Sequence, residues 1–226
     1  MYRSDTLENT IGSHRYRREG RDLLDFAVLG LLYEAPMHGY ELRKQLGTRL
    51  GGFRAFSYGS LYPALRRLVH DGLIVEEAEQ PVRRSATAAG SSAGSWSRRS
   101  RRRTYRITAE GKERFAEMLA DAGPQTWEDE GFGIHLTFFS RTPADTRIRI
   151  LEGRRRRVEE RREGLRATLG RAGEQIDRYT RELHQLGLDA SEREVRWLNE
   201  LIAHEQANQG ASAEPTGHPT DNPKPD

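Results

Sequence analysis

Apolar residues in the first third of the chain fall into three short segments with helical spacing. Residues 23–33 are apolar around most of the helix circumference, which is typical of a short helix buried on several sides, and Pro36 ends it. A second helix is predicted over residues 38–50 and a third over residues 60–71, each followed by glycine. The inward faces of these two helices are leucines at helical spacing: Leu42, Leu46, Leu50, Leu61, Leu65 and Leu68.

Two strand-like segments follow, residues 73–77 and 103–107, on either side of a long polar insert. The insert, residues 81–102, is rich in Ser, Ala, Gly and Arg and cannot bury a core, so a flexible hairpin loop is predicted. Thr108 then caps a further helix that ends near residue 122. Three short helices, a β-hairpin and a fourth helix together predict a winged helix-turn-helix.

The C-terminal half carries a heptad repeat of apolar positions over residues 148–186. Thr142 and Pro143 begin a helix that would span about 65 Å at 1.5 Å per residue, with a break allowed near Gly170. A capping box at residues 191–194 predicts one last helix. A second copy of the chain is the simplest means of burying the stripe, so we expect a coiled-coil homodimer. The expected dimerisation residues are Ile148, Leu151, Val158, Leu165, Leu169, Ile176, Tyr179, Leu183 and Leu198.

These elements predict a mainly α fold with a small β-hairpin, organised in four segments. Residues 1–21 form a basic, loosely ordered N-terminal arm, and residues 22–122 form the winged helix-turn-helix domain. Its long basic wing covers residues 80–103. Residues 123–205 form a helical dimerisation domain, and the proline-rich tail from residue 206 to residue 226 is expected to be disordered.

Charge changes this picture, because the net charge of +3 is unevenly distributed over the 226 residues. Residues 80–103, which comprise the insert and the first residue of the second strand, carry seven arginines and no acid. This is the electrostatic pattern of a protein that binds a polyanion. The alternative is a solvated, disordered basic loop. The seven are Arg83, Arg84, Arg98, Arg99, Arg101, Arg102 and Arg103.

Composition also excludes several classes of function. The chain has no cysteine, which rules out disulfides, a thiolate nucleophile and a Cys-based zinc site. The longest apolar run near the N-terminus is too short and too polar to span a bilayer, and no secretory signal pattern is present. The histidines are scattered, and no phosphate loop, nucleophile elbow or Rossmann glycine pattern occurs. We therefore expect a cytoplasmic protein that is not an enzyme and needs no metal or cofactor.

The second helix of a helix-turn-helix enters the major groove of DNA, and here that is the helix over residues 60–71. Arg66 is the best candidate for a base edge, because a guanidinium can bond guanine at two places. The wing arginines would follow phosphates or a minor groove. For Tyr58 and Tyr62 the alternative to DNA contact is packing within the domain. For Arg67, Arg43 and Lys44 the alternative is a solvated surface charge. The candidate DNA-binding residues are Arg43, Lys44, Ser57, Tyr58, Ser60, Tyr62, Arg66, Arg67, Arg98, Arg99, Arg101, Arg102 and Arg103.

Five segments of the chain resemble PadR-type transcription regulators: 30–32 (GLL), 38–42 (HGYEL), 59–68 (GSLYPALRRL), 71–74 (DGLI) and 103–111 (RTYRITAEG). The resemblance covers residues 22–122. The helical half is similar, by architecture, to the larger PadR subfamily, whose C-terminal helices exchange to form a two-fold dimer. The resemblance implies repression at a two-fold symmetric DNA operator, with release by a small molecule or a stress signal. The wing departs from the family pattern in its length and its arginine content.

Two further interpretations stay open at this point. Trp127, Phe132 and Trp197 could line an effector pocket between the two halves, or they could simply pack in the dimer core. The alternation over residues 132–139 favours a strand, whereas the family resemblance favours a helix. The other functional hypothesis is a helical protein-interaction module in which the basic loop is incidental.

Overall fold

The computed structural model of the chain describes residues 5–51, 58–78, 103–172 and 176–213. The predicted fold class is confirmed, because these residues are mainly helical and contain a small antiparallel sheet. The chain separates into two compact units, the N-terminal unit Met1–Pro143 and the C-terminal unit Ala144–Asp226.

The N-terminal unit contains the predicted helices and the two predicted strands, together with several short elements. A 3-10 turn at Phe139–Arg141 closes the unit. The elements, in chain order, are α1 (Asp5–Glu34), β1 (Met37–His38), α2 (Gly39–Leu50), α3 (Tyr58–His70), β2 (Ile74–Ala78), β3 (Arg103–Ile107), α4 (Ala109–Ala120), α5 (Pro124–Trp127) and α6 (Asp129–Thr137).

The second half of α1 is the centre of the core in this unit. Ala27, Val28, Leu29 and Leu31 are each 0% exposed, and α1 contacts α2, α3, α4, α6 and β3. This burial on several sides explains why the segment is apolar around most of its surface rather than along one stripe. The leucines predicted to face inward on α2 and α3 are all buried.

The sheet has three strands in the order β1-β3-β2, and both pairings are antiparallel. Ile74 faces Ile107 across the β2–β3 ladder. The β1 strand, which pairs Met37 with Tyr105, was not predicted, because two residues are too few to show an alternating pattern. The predicted cap of α4 is confirmed: Gly111 donates its backbone N–H to the Thr108 hydroxyl at 3.0 Å.

Two predictions about local structure in the N-terminal unit need correction, and one open choice is resolved. The arm was expected to be loosely ordered, but α1 already begins at Asp5, and no proline interrupts the segment up to residue 34. The open choice for residues 132–139 is resolved as helix α6 followed by the 3-10 turn. Because α3 begins at Tyr58 rather than Ser60, Pro63 lies in the second turn, where it removes one backbone hydrogen bond.

The C-terminal unit is a hairpin of two long helices, α7 (Ala144–Ala172) and α8 (Arg178–Ala213). Ion pairs join the two helices along their length, and the partner numbers fall on α8 as they rise on α7, so the helices are antiparallel. The pairs are Arg147–Glu205 at 2.6 Å, Arg154–Glu194 at 2.7 Å, Arg161–Glu194 at 3.1 Å and Arg166–Glu192 at 2.8 Å.

The heptad pattern over residues 148–186 is divided between two helices, because α7 ends at Ala172 and α8 begins at Arg178. The break allowed near Gly170 is therefore observed. Asp177 caps the new start, and its carboxylate accepts the backbone N–H of Tyr179 at 2.8 Å. The N-terminal hydrogen bonds also hold the pKa of Asp177 below its usual value, the Thr180 hydroxyl contributing most.

The end of α8 also differs from the prediction. Ser191 does not begin a helix; it lies inside α8, and its hydroxyl donates to the carbonyl of Gly187 at 2.8 Å. The helix continues to Ala213, so the first residues of the tail expected to be disordered from residue 206 are helical. A serine inside a helix can bond its hydroxyl to the carbonyl four residues earlier, and this is why the capping pattern of residues 191–194 was misleading.

We predict opposite stability effects for two helical glycines of the N-terminal unit. A Cβ at Gly30 would overlap the ring of Phe138, whereas a Cβ at Gly47 would meet no atom within 4 Å. Gly30→Ala should therefore lower the free energy of unfolding by about 1–3 kcal/mol. Gly47→Ala should raise it by about 0.5–1 kcal/mol. Chemical denaturation of both variants measures the difference, and equal effects would contradict the packing described for α1.

Candidate nucleic-acid interface

Helix α3 has one buried face and one exposed face. Leu61, Ala64, Leu65 and Leu68 are each at most 3% exposed. Tyr62 is 47% exposed, and Arg66 and His70 are exposed at the following helical positions. Side chains at positions i, i+4 and i+8 lie along one side of a helix, so these three form the outward face of α3.

Arg66 occupies the centre of this outward face. Among the residues that the structure describes, none forms a hydrogen bond or an ion pair with its guanidinium. Its charge nevertheless acts on the phenol of Tyr105 in β3. Burial, and then the charge of Glu76, raise the pKa of Tyr105, whereas Arg103 and Arg66 lower it. The outward face of α3 therefore lies next to the strand from which the wing returns.

Arg67, the next residue, is placed differently. Its guanidinium donates to the carboxylate of Asp25 on α1 at 2.5 Å, and both side chains are partly buried. Burial raises the pKa of Asp25, and the hydrogen bond and charge of Arg67 counteract that rise. Arg67 thus ties α3 to α1, a role that neither the predicted DNA contact nor a solvated charge describes.

Helix α2 presents a second exposed surface beside α3. Arg43 and Lys44 are exposed, as predicted from their place outside the leucine stripe, and Ser60 is half-buried at the start of α3. A Cβ at Gly39 would lie 3.4 Å from the ring of Tyr62, so the first turn of α2 lies against that tyrosine. Tyr40, in the same turn, is 66% exposed and was not among the candidate DNA-binding residues. An exposed aromatic side chain in an otherwise polar turn was the available signal.

Part of the predicted interface lies outside the described residues. This applies to Ser57, to the side chain of Tyr58, and to the wing arginines other than Arg103. Arg103 begins β3, is exposed, and forms an ion pair with Glu76 of β2 at 2.5 Å. The wing arginines outside the described residues are Arg83, Arg84, Arg98, Arg99, Arg101 and Arg102.

The residues predicted for an effector pocket are divided between the two units. Trp127 is half-buried in α5 and Phe132 is buried in α6, both in the N-terminal unit. Trp197 belongs to α8 in the C-terminal unit and is 39% exposed. Their joint role in one pocket stays a prediction.

The residues predicted for dimerisation differ in their burial within the single chain. Leu151, Val158 and Leu198 are at most 1% exposed, which leaves them little surface for a partner. Tyr179 and Leu183 are exposed on α8. The remaining four are half-buried: Ile148, Leu165, Leu169 and Ile176.

The part of the chain that the structure describes contains neither a membrane-spanning helix nor a cluster of metal ligands. No helix there is both long enough and apolar enough to cross a membrane. Nor does any group of three or more metal-ligating side chains in the described ranges have the arrangement to hold an ion.

Residues 28–117 match the family model described as the transcriptional regulator PadR-like family. This segment runs from the buried part of α1 to α4 and contains α3 and all three strands. The family model thus confirms, over residues 28–117, the resemblance to PadR-like transcriptional regulators that the sequence indicated. The matched segment includes the buried and exposed faces of α3.

Solved structures of Bacillus subtilis PadR and of one other protein align with about four fifths of this chain. Bacillus subtilis PadR in complex with operator DNA is 20% identical, covers 80% of this chain and 98% of its own, and gives a TM-score of 0.35. Bacillus subtilis PadR in complex with p-coumaric acid is 19% identical, with coverage of 81% and 99% and a TM-score of 0.36. The protein smu.1604c of Streptococcus mutans UA159 is 24% identical, with coverage of 79% and 98% and a TM-score of 0.35. No functionally curated protein matches the chain.

We predict that Arg67 contributes to stability in a way that Arg66 does not. Arg67→Ala should lower the free energy of unfolding by about 1–2 kcal/mol, because the partly buried Asp25 carboxylate loses its charged partner. Asp25→Asn in the same chain should recover part of this loss, since an amide costs less to bury than a carboxylate. Arg66→Ala is the matched control and should change stability by less than about 0.5 kcal/mol. Equal losses in the two single variants, measured by chemical denaturation, would refute the structural role of Arg67.

Proposed function

We propose that this PadR-like protein is a repressor that binds a two-fold symmetric DNA operator as a homodimer and is released by a small-molecule effector. The observation that carries the DNA-binding part is the outward face of α3. There, Tyr62 and Arg66 are exposed, while the opposite face of the same helix is fixed in the core by buried leucines. A rigidly held helix with an exposed arginine is suited to the major groove, where a guanidinium can bond guanine at two places.

Neighbouring charges support the same assignment. Arg43 and Lys44 are exposed on α2, and Arg103 is exposed where the wing returns to the sheet. These cations are placed to contact phosphates, which hold a protein on DNA without reading its sequence. The arginine-rich insert between β2 and β3 would add further phosphate contacts and a steep dependence on salt.

The homodimer is supported by an apolar stripe on the N-terminal half of α8. Tyr179 is 83% exposed, Leu183 66% and Leu186 60%, at spacings of four and three residues. Large apolar side chains that repeat along one helix face and stay exposed in a single chain are typical of a surface that pairs with another helix. In a dimer, two α3 helices separated by roughly 34 Å would reach successive major grooves.

The stripe alone would also suit the second candidate function, a module that binds a helix of another protein. That hypothesis leaves the exposed arginine of α3 and the arginine-rich insert without a role. A chain that stays monomeric and ignores DNA of any sequence would favour it.

We predict that Arg66→Ala reduces discrimination between operator and random DNA. Loss of a base-edge contact should weaken operator binding by about 10–100-fold and leave binding to random DNA almost unchanged. Titration of labelled DNA with each variant measures both affinities. Arg193→Ala, an exposed arginine on α8, is the matched control and should bind as the original protein does. Retained discrimination in Arg66→Ala would remove this residue from base recognition.

We predict that a charge in the α8 stripe dissociates the dimer. Leu183→Lys should shift sedimentation from dimer to monomer at micromolar concentration, because the interface would have to bury an ammonium group. Gln185→Lys introduces the same charge on an exposed position of α8 outside the stripe and should leave the dimer intact. If both variants sediment alike, the stripe is not the interface.

A further inference from the structure

The N-terminal unit contains a cavity of about 330 Å³ between α1, α4 and the α5–α6 segment. None of the three aromatic residues predicted for an effector pocket lines it. Its volume lies at the small end of the range found for ligand pockets. None of the residues that line it belongs to α3.

One wall of the cavity is apolar and rigid. Leu23 and Phe26 of α1 and Met118 of α4 line it. The ring of Phe26 also packs against Phe115, with ring centroids 5.4 Å apart, and against Phe138, at 5.3 Å. Because this aromatic cluster fixes Phe26, the wall offers a preformed surface for a flat apolar group.

A buried histidine reaches the same cavity. His135 is only 6% exposed, lines the cavity and stacks on Phe26 with ring centroids 4.4 Å apart. Among the described residues, no group forms a hydrogen bond with its imidazole. Burial lowers the pKa of His135 to about 4, against the weaker opposing effect of Asp121, so the ring is neutral at pH 7 and one of its nitrogens is an acceptor. Neither nitrogen belongs to the fully buried, unpartnered polar atoms of the described residues, so the acceptor is open to a donor in the cavity.

The polar rim of the cavity is acidic. Three carboxylates, Asp22, Glu117 and Asp121, stand against a single guanidinium, that of Arg114. Arg114 already bonds Glu117 at 3.0 Å. The Asp121 carboxylate accepts hydrogen bonds from the backbone N–H of Gly123 and from the side-chain amide of Gln125, but among the described residues neither it nor Asp22 has a cationic partner. This excess of negative charge favours a cationic ligand over an anionic one.

We propose that this cavity is a binding site for a small aromatic amine. The aromatic ring lies against Phe26 and Met118, the ammonium group faces Asp22 and Asp121, and a hydroxyl or N–H donor of the ligand bonds the imidazole of His135. The same helix that supplies Leu23 and Phe26 also carries Asp25, the partner of Arg67 on α3. Ligand binding is thus transmitted to the DNA-binding helix through α1. This coupling rests on the proposed repressor function, whereas the binding step does not.

Calorimetry of the full chain with tyramine at pH 7.5 tests the binding step, because tyramine combines an ammonium group, an aromatic ring and a phenol donor. The matched control ligand is 3-(4-hydroxyphenyl)propionate, which replaces the ammonium with a carboxylate on a similar frame. We expect saturable binding of tyramine, at least tenfold tighter than binding of the acid. No saturable binding of tyramine, or equal binding of both compounds, would overturn the proposal.

Two variants assign the site. His135→Phe keeps the ring stack on Phe26 and removes the acceptor, and should weaken tyramine binding about tenfold. Asp22→Asn changes an exposed rim residue that the fold does not need, and should weaken binding by a similar factor without affecting folding. Asp189→Asn on α8 is the control and should bind as the original chain does. Unchanged tyramine affinity in Asp22→Asn would place the ligand elsewhere and contradict the assignment, even if His135→Phe failed to fold.

The same samples separate this inference from the proposed function. A chain that binds tyramine but no DNA would retain the site and refute the repressor. A chain that binds operator DNA but no tyramine would refute the site and retain the repressor. Operator affinity that is unchanged by saturating tyramine would refute the transmission through α1.

Discussion

Burial of α1 on several sides is the constraint on which the N-terminal unit depends. Helix α1 contacts α2, α3, α4, α6 and β3. The same helix surface therefore positions each of these elements. Close packing on all sides leaves no room for an added methyl group at Gly30, where the Phe138 ring lies. The orientation of α3, and with it any contact to DNA, therefore follows from how α1 is packed.

The neighbouring residues Arg66 and Arg67 of α3 lie in different surroundings because of this packing. Successive residues of an α-helix point about 100° apart. Arg66 consequently faces outward, while Arg67 turns back to Asp25 on α1. Arg66 is therefore the candidate for base recognition, whereas Arg67 links α3 to α1. The cavity beside Phe26 is also lined by α1, so the proposed ligand site and the proposed DNA-contacting helix α3 both contact that helix.

The sequence predicted those parts of the structure that local periodicity determines. Leucine spacing located α2 and α3, and the alternation of Tyr105 and Ile107 located β3. Ion pairs between residues distant in sequence were not predictable. Arg67 and Asp25 are separated by 42 positions, and no pattern in either segment indicates that their side chains meet. The cavity was missed for the same reason, because its walls come from α1, α4 and the α5–α6 segment, which are distant in sequence.

The heptad stripe of the C-terminal half predicts an apolar surface that must be buried, but it does not identify what buries it. An antiparallel helix of the same chain buries an apolar stripe as well as a second chain does, so periodicity alone does not distinguish the two. Leu151, Val158 and Leu198 are accordingly buried in the single chain. Only the part of the pattern that stays exposed on α8 remains available to a partner.

Selection of bound fragments from random and genomic DNA, carried out with the full chain at two salt concentrations, tests the central claim most directly. A dimeric regulator reading DNA through α3 predicts an enriched motif with two-fold symmetry. Its half-sites should be centred about one helical turn apart, or a multiple of that, and retention should fall steeply at the higher salt concentration. Retention without any enriched motif, or no retention even at low salt, would contradict the account.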